Sequence, residues 1–325
     1  MNIVLSTDDN FVQHCSATIM SLLSNNKNVN IYILTEGLTV ANERILQELV
    51  MNNGGVFHLI VVNNLFLKNC PMPRLDCVSH ISIATYYRLL IADILPLSVK
   101  QVLYLDCDII VRHDISVLMN TQLKEYAIGA VYQIADWNVD TILRLGYPLE
   151  YGYFNAGVLL INLEYWRTNH ITKKLLEYLK NNNDKIIYHD QDVLNAVLHR
   201  SCLRLSCRWN MLTPYFKKSI FAISDIDVDG NIVCDHQDYK NIIYDEVKDP
   251  FIIHYVSRPK PWESGCDHPW RKEYYKYLSK TFFGDYRPPK SFYKEVKKLI
   301  KKWVCKDSYI SVSYTHLRAH ETRRH

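Results

Sequence analysis

An α/β fold, with a mainly parallel central sheet flanked by helices, is what this 325-residue sequence predicts. Three observations carry the prediction. Short apolar, β-branched runs alternate with helix-spaced segments from the first residue, the order expected when strands pair in parallel across helical crossovers. An apolar run at residues 102–105 stops abruptly at Asp106-Cys107-Asp108, so two carboxylates stand where a strand ends. The chain is 48% hydrophobic, enough to bury a full core, yet no stretch approaches the roughly 18 uninterrupted apolar residues of a membrane span.

Residues 3–6, 30–34 and 56–62 read as strands, with helices at 14–23 and 40–51 between them; Leu46, Leu49 and Val50 share one side of the second helix. A third helix is expected over 82–95, stopped by Pro96, and the strand at 102–105 follows. Beyond residue 125 the pattern turns mixed. Strands are expected at 127–132 and 157–162, helices at 172–179 and 191–199, and short strands at 202–207 and 251–256, with Pro288-Pro289 closing the body. Ligands of such sheets bind beyond the carboxyl ends of the strands, where Asp8, Asp106 and Asp108 belong. No Gly-x-Gly-x-x-Gly or Walker loop follows the first strand, which sets a Rossmann dinucleotide site aside.

The start, Met1 to Asp9, lacks a basic leader region and reads as a first strand running into a loop. Nine cysteines without Cys-x-x-Cys spacing suit reduced thiols in a cytosolic protein rather than zinc or a disulfide framework. The formal charge of +4 is uneven: residues 286–306 carry seven lysines and Arg287 against Glu295, so the body before them is mildly acidic. An acidic body argues against a nucleic-acid partner. Within the basic stretch, Phe292, Val296, Leu299, Ile300 and Trp303 fall on one helical stripe, beside or opposite Lys294, Lys297, Lys298, Lys301 and Lys302. Residues 286–306 are thus expected to form a basic amphipathic segment that associates with an anionic membrane surface through 290–306. Residues 307–325 read as a non-native read-through segment.

Asp106 and Asp108, two apart on a strand, would aim two carboxylates at one point, where they repel unless a proton or a divalent cation lies between them. Hard oxygen ligands suit magnesium or manganese, with phosphate and water completing the shell. A metal–diphosphate site is the functional reading; a solvated turn ending a strand is the structural one, and the motif alone leaves both open. Taken singly, Arg88 also reads as a salt-bridge partner, His254 as a core histidine and Lys260 as a solvated charge. Asp190-Gln191-Asp192 opens a helix, where acids serve as caps as well as reactive groups.

Six segments occur in order: Ser6-Thr7-Asp8-Asp9-Asn10, the run from His80 through Thr85-Tyr86-Tyr87-Arg88 to Leu89, Leu103-Tyr104-Leu105-Asp106-Cys107-Asp108, the run from Tyr153-Phe154-Asn155-Ala156-Gly157 to Leu163, Asp190-Gln191-Asp192-Val193-Leu194-Asn195, and the run from His254 through Ser257-Arg258-Pro259-Lys260 to Trp262. Together they closely resemble family 8 retaining glycosyltransferases, the bacterial lipopolysaccharide galactosyl- and glucosyltransferase group to which glycogenin is more distantly related. The resemblance covers residues 1–285 and implies a single GT-A domain there. It implies that Asp8 accepts a hydrogen bond from uracil, that Asn10 holds the ribose and that Arg88 reaches the nucleotide-sugar side of the cleft. Asp106, Asp108 and His254 would ligate Mn2+ or Mg2+, and Lys260 would bind the diphosphate. Gln191 would lie beneath the anomeric carbon and Asp190 against donor hydroxyls, with Asn155 nearby and Asp192 completing the catalytic group.

The implied reaction moves glucose or galactose from a UDP-sugar to a lipopolysaccharide or other surface-glycan acceptor, on the inner face of the cytoplasmic membrane. Retention would arise by double displacement or by front-face attack; an amide at Gln191 is a poor nucleophile and favours the second. Tyr86, Trp137 and Tyr153 are candidates to stack on sugar faces. Two departures stand out. Gln133, with Asp136 three residues later, replaces a common aspartate, and Ser257 then Arg258 stand where a glycine often follows the metal histidine, which bears on how Ser257 and Lys260 grip the diphosphate. A non-catalytic sugar-nucleotide-binding protein of the same fold is the alternative; a two-metal phosphohydrolase lacks a second acidic cluster.

Overall fold

The computed structural model describes residues 1–63, 83–135, 137–226 and 232–288. The start of the second motif (80–82), Asp136, the basic stripe at 290–306 and the segment 307–325 lie outside the described residues.

β1 (Asn2–Ser6), α1 (Val12–Asn25), β2 (Asn30–Thr35), α2 (Val40–Asn52) and β3 (Val56–Val61) alternate as expected. The segment Ile83–Leu90 is a 3-10 helix that runs into one α-helical turn, α3 (Ile91–Ile94). Then come β4 (Gln101–Leu105), β5 (Ile109–Val111), α4 (Ser116–Met119), β6 (Ile128–Tyr132), α5 (Asn138–Leu145), β7 (Phe154–Asn162), α6 (Leu163–Thr168), α7 (Ile171–Asn181) and α8 (His189–Leu198). The chain continues through β8 (Cys202–Leu205), β9 (Met211–Leu212), β10 (Asp225–Ile226), β11 (Ile232–Cys234), α9 (Gln237–Glu246), β12 (Ile252–His254) and α10 (Arg271–Leu278).

Seven strands form the main sheet in the order β3-β2-β1-β4-β7-β6-β8. β3, β2, β1 and β4 pair in parallel, β6 and β8 pair in parallel, and β7 runs antiparallel to both its neighbours. The strands β1, β2, β4, β6 and β7 are apolar at nearly every position because both faces are covered, while the edge strands β3 and β8 are more open. Their alternation sorts residues between two cores: Ile3, Leu5, Leu103, Leu105, Val158 and Leu160 fall in one, and Val4, Val102, Tyr104, Leu159 and Ile161 in the other. A second, three-stranded sheet, β5-β12-β9, pairs β12 antiparallel to β5 and parallel to β9.

This topology positions the site. β1 and β4 lie side by side and parallel, but the chain leaves β1 toward β2 and β3 before returning to β4, which makes a switch point where their carboxyl ends part. Asp8 and Asp106 follow those two ends. Because β7 is reversed, its beginning, not its end, reaches the same rim, and the Asp106 amide donates to the Gly157 carbonyl at 2.9 Å.

Two expectations are corrected. The stretch 82–95 is not one α-helix. Thr85, Tyr86 and Tyr87 are weak helix formers, and over so short a window spacings of three and four read alike. The tighter winding, about three residues per turn, aligns Thr85 with Arg88. Asp106 and Asp108 do not sit on one strand either: residues 106–108 form the turn that carries the chain from β4 of the large sheet to β5 of the small one.

Candidate active site

Register delivers the third member of the acidic cluster. His254, the last residue of β12, is paired with Ile109, the residue after Asp108, and the Tyr255 amide donates to the Asp108 carbonyl at 3.0 Å. His254 Nε2 therefore faces both carboxylates, 3.1 Å from Asp108 Oδ1 and 3.8 Å from Asp106 Oδ2. One ligand atom from each of the three residues lies within 4.8 Å of the others.

Each aspartate commits its other oxygen to a cation. Asp106 Oδ1 accepts from Arg88 Nη2 at 2.8 Å and from the Tyr104 hydroxyl at 3.0 Å. Asp108 Oδ2 accepts from Lys260 Nζ at 2.6 Å, and the same ammonium donates to the Tyr255 carbonyl. Burial alone would push the Asp108 carboxyl up, but Lys260 and His254 outweigh it and hold it well below the usual carboxylate range. Gly157 supplies the room: a Cβ there would come within 2.1 Å of His254 Cε1 and 2.7 Å of Asp106 Oδ2. Two inward carboxylate oxygens, one imidazole nitrogen and a side-chain-free strand beside them fit a divalent cation with further positions open.

Arg88 joins this cluster to the first turn of α8. Its guanidinium donates to the Ala156 carbonyl at 2.7 Å, stacks over the Tyr104 ring with Cζ 4.4 Å from the centroid, and pairs through Nε with Asp190 Oδ2 at 2.9 Å. The Thr85 hydroxyl, one 3-10 turn earlier, donates to the other Asp190 oxygen. Arg88 is buried, and its two carboxylates raise its pKa further against the burial that opposes its charge. Burial pushes the Asp190 carboxyl up to about 6, a rise that Arg88 and Thr85 restrain.

Gln191 lies beside Asp190, and its Oε1 accepts from Asn155 Nδ2 and from the Ala156 amide, both at 3.0 Å. Asp190, Gln191, Asn155, Arg88, Asp106, Asp108, His254 and Lys260 thus form one connected group. Asp192 does not join it. Its fully buried carboxylate turns the other way, accepting from the Ile187 and Tyr188 amides at 2.8 Å, Arg144 Nη1 at 3.0 Å and the Tyr153 hydroxyl at 2.7 Å. It ties the start of α8 together, the capping role open to acids at a helix start.

Asp8 stands at the rim with Oδ1 accepting the Asn10 amide at 2.9 Å and the Phe11 amide at 3.1 Å, which shapes the turn into α1. The Asn10 side chain is exposed, and Ser257 is half-buried in the loop after β12. Tyr86 and Tyr153 are 2% and 0% exposed, so neither has a free face for a sugar. Trp137 is half-buried and lies against Tyr188, with centroids 4.6 Å apart.

Sequence reasoning passed over Thr85, Tyr104, Gly157 and Asn210. Asn210 left a signal: an amide between Trp209 and Met211-Leu212 is a polar group in an apolar run, which must find partners if buried. It is fully buried, and its partners are Asn155 Oδ1 at 2.8 Å and His254 Nδ1 at 2.9 Å.

The chain is similar to several known proteins. General stress protein A of Bacillus subtilis is 30% identical over 288 residues, 86% of this chain and 94% of that protein. The lipopolysaccharide 1,2-glucosyltransferase of Escherichia coli K12 is 28% identical over 316 residues, 96% of this chain and 87% of that enzyme. The crystal structure of the galactosyltransferase LgtC with donor and acceptor sugar analogues matches with a TM-score of 0.75 and 26% identity, covering 87% of this chain and 96% of that one. The shared architecture is the GT-A fold. The profile of glycosyl transferase family 8 matches residues 2–266, nearly the whole described body, and the chain belongs to that family.

Proposed function

We propose that this protein is a metal-dependent retaining glycosyltransferase that moves glucose or galactose from a UDP-sugar to a lipopolysaccharide or related surface-glycan acceptor. The observation that carries the reading is the continuity of the site: Arg88 holds Asp106 of the acidic cluster at 2.8 Å and Asp190, beside Gln191, at 2.9 Å. Leaving-group stabilisation and sugar positioning then belong to one rigid unit.

When bound, Mn2+ or Mg2+ would neutralise the charge that gathers on the departing diphosphate. Asp106, Asp108 and His254 would hold it. Lys260, already poised at Asp108, adds positive charge at the same end, with Ser257 in the adjoining loop. Asp8 has its second oxygen for the uracil, and Asn10 reaches the ribose. Asp190 accepts from sugar hydroxyls while Gln191 and Asn155 line the face beneath the anomeric carbon. Gln191 Oε1 already accepts two hydrogen bonds, and an amide oxygen is a weak nucleophile. Both features favour front-face attack, with the leaving diphosphate taking the acceptor's proton, over a covalent glycosyl intermediate.

Incubation with UDP-glucose or UDP-galactose is expected to release UDP and free hexose slowly with Mn2+ and not in EDTA, and faster with extracted lipopolysaccharide core. Proton NMR of the glycosylated product should show the donor's α configuration. A β product overturns the retaining mechanism, orthophosphate release marks a phosphatase, and saturable UDP binding without turnover marks a sugar-nucleotide-binding protein.

We infer further that residues 290–306 hold the enzyme on the cytoplasmic leaflet. The reading rests on the apolar stripe and its five flanking lysines, each worth on the order of 1 kcal/mol beside an anionic surface. Co-sedimentation with anionic liposomes is expected at low salt, and it should vanish on truncation after Pro289 while donor hydrolysis survives. A full-length protein that ignores anionic liposomes at low salt has no such anchor.

A further inference from the structure

Between the two halves of the site runs a buried chain of amides whose polarity can be deduced rather than assumed. A backbone N–H can only donate. The Ala156 amide points at Gln191 at 3.0 Å, so the atom receiving it is Oε1. The Gly157 amide points at Asn155 at 3.0 Å, so that atom is Oδ1, and Asn155 Nδ2 is left to donate to Gln191. Asn155 Oδ1 is then an acceptor, so the Asn210 atom 2.8 Å away is Nδ2. That leaves Asn210 Oδ1 facing His254 Nδ1 at 2.9 Å, and two acceptors cannot face each other in a buried site without a large penalty. His254 Nδ1 must carry the hydrogen. Nε2, the nitrogen turned toward Asp106 and Asp108, is then the one whose lone pair a cation can take, its hydrogen leaving when the ion binds between it and the carboxylates.

We propose that Asn210 is a positioning residue with two separable tasks: its carbonyl fixes the ligating tautomer of His254, and its amide hydrogens fix, through Asn155, the orientation of Gln191. The proposal deepens the metal-dependent transferase reading and rests on it. Two consecutive amides of β7, from Ala156 and Gly157, thereby set the direction of every hydrogen bond along the amide chain from Gln191 to His254. Asn155, Asn210 and His254 are all buried, so water does not offer substitute partners. Asn210 itself lies just before β9, which pairs in parallel with β12, so the small sheet holds it beside His254.

The two tasks separate by substitution. Asn210→Asp keeps an oxygen for the His254 Nδ1–H but replaces the donor to Asn155 with a second acceptor. Asn210→Leu removes both. Groups that hydrogen-bond the other ring nitrogen of a ligating histidine typically matter by about 10–100-fold in metal affinity or activity. Calorimetric titration with Mn2+ alone is expected to show Asn210→Asp binding at least as tightly as the wild type and Asn210→Leu binding at least ~10-fold more weakly. The kcat for UDP-sugar turnover should fall in both, with KM for the donor little changed. Histidine 15N NMR of the metal-free wild type at pH 8.5, with His254 assigned by its loss in His254→Gln, should show Nδ1 protonated. An unprotonated Nδ1 overturns the proposal without any variant having to fold, as do equal changes in Mn2+ affinity for the Asp and Leu variants. A wild type with the expected tautomer but no Mn2+ affinity or turnover instead defeats the transferase reading and leaves the amide chain standing.

Discussion

Asp106→Ala and Asp108→Ala are each expected to lower UDP-sugar turnover at least ~100-fold, which corresponds to about 2.7 kcal/mol of lost transition-state stabilisation. The two losses arise differently. Asp108 gives one oxygen to the His254 side and the other to Lys260, so its removal would delete a proposed ligand and free the ammonium proposed to meet the diphosphate. Loss of Asp106 would delete a proposed ligand and take one of the two carboxylates from the buried Arg88. Uncompensated buried charge is costly, but Arg88 retains Asp190 and the Ala156 carbonyl, so Asp106→Ala should still fold cooperatively. Thermal melts beside steady-state rates separate the two effects, and EDTA on the wild type should reproduce the rate loss without the melt shift. Undiminished turnover in EDTA removes the divalent ion from the mechanism.

Much of the fold and of the site is legible in the sequence. Continuous apolar runs marked β1, β2 and β4 because strands covered on both faces have no polar side to show. The two aspartates marked the rim because a carboxylate pair has few uses at a strand end. Other features escaped for physical reasons. An apolar run such as Gly157–Asn162 reads the same in either chain direction, so nothing in it revealed that β7 is reversed and brings Asn155 and Gly157 to the rim. The strands β5 and β9, of three and two residues, exist through pairing with the distant β12 and carry little local signal. Asp192 looked like a partner of Asp190 because the two are neighbours in a motif. Side chains two apart on a helix do not share a face, and the fold uses that to send Asp192 into the protein. Tyr86 and Tyr153 looked like sugar platforms because aromatic composition does not tell a packed ring from an open one.

Gly157→Ala, the smallest change available at this site, is expected to be among the most damaging. The added Cβ would sit 2.1 Å from His254 Cε1, 2.8 Å from its Nδ1 and 2.7 Å from Asp106 Oδ2. Neither neighbour is free to give way. His254 is held by Asn210 at one nitrogen, and Asp106 is held by Arg88 and Tyr104 at one oxygen. The backbone cannot withdraw either, since β7 is an interior strand between β4 and β6 and Gly157 itself bonds Asp106 and Asn155. The strain must therefore fall on His254 and Asp106, two of the three proposed metal ligands. Overpacking of this kind costs typically ~1–3 kcal/mol in stability, a modest fraction of what holds the sheet together, while the geometry of the acidic cluster is lost. The folded variant should bind Mn2+ at least ~100-fold more weakly than the wild type, because misplaced ligands forfeit several kcal/mol of coordination. Gly129→Ala is the matched control. It lies in β6 of the same sheet, where the atoms nearest the added Cβ would be leucine side-chain methyls at 3.3–3.4 Å, which can shift. It should leave Mn2+ affinity unchanged. If Gly157→Ala binds Mn2+ as tightly as Gly129→Ala does, the ion is not held between Asp106 and His254.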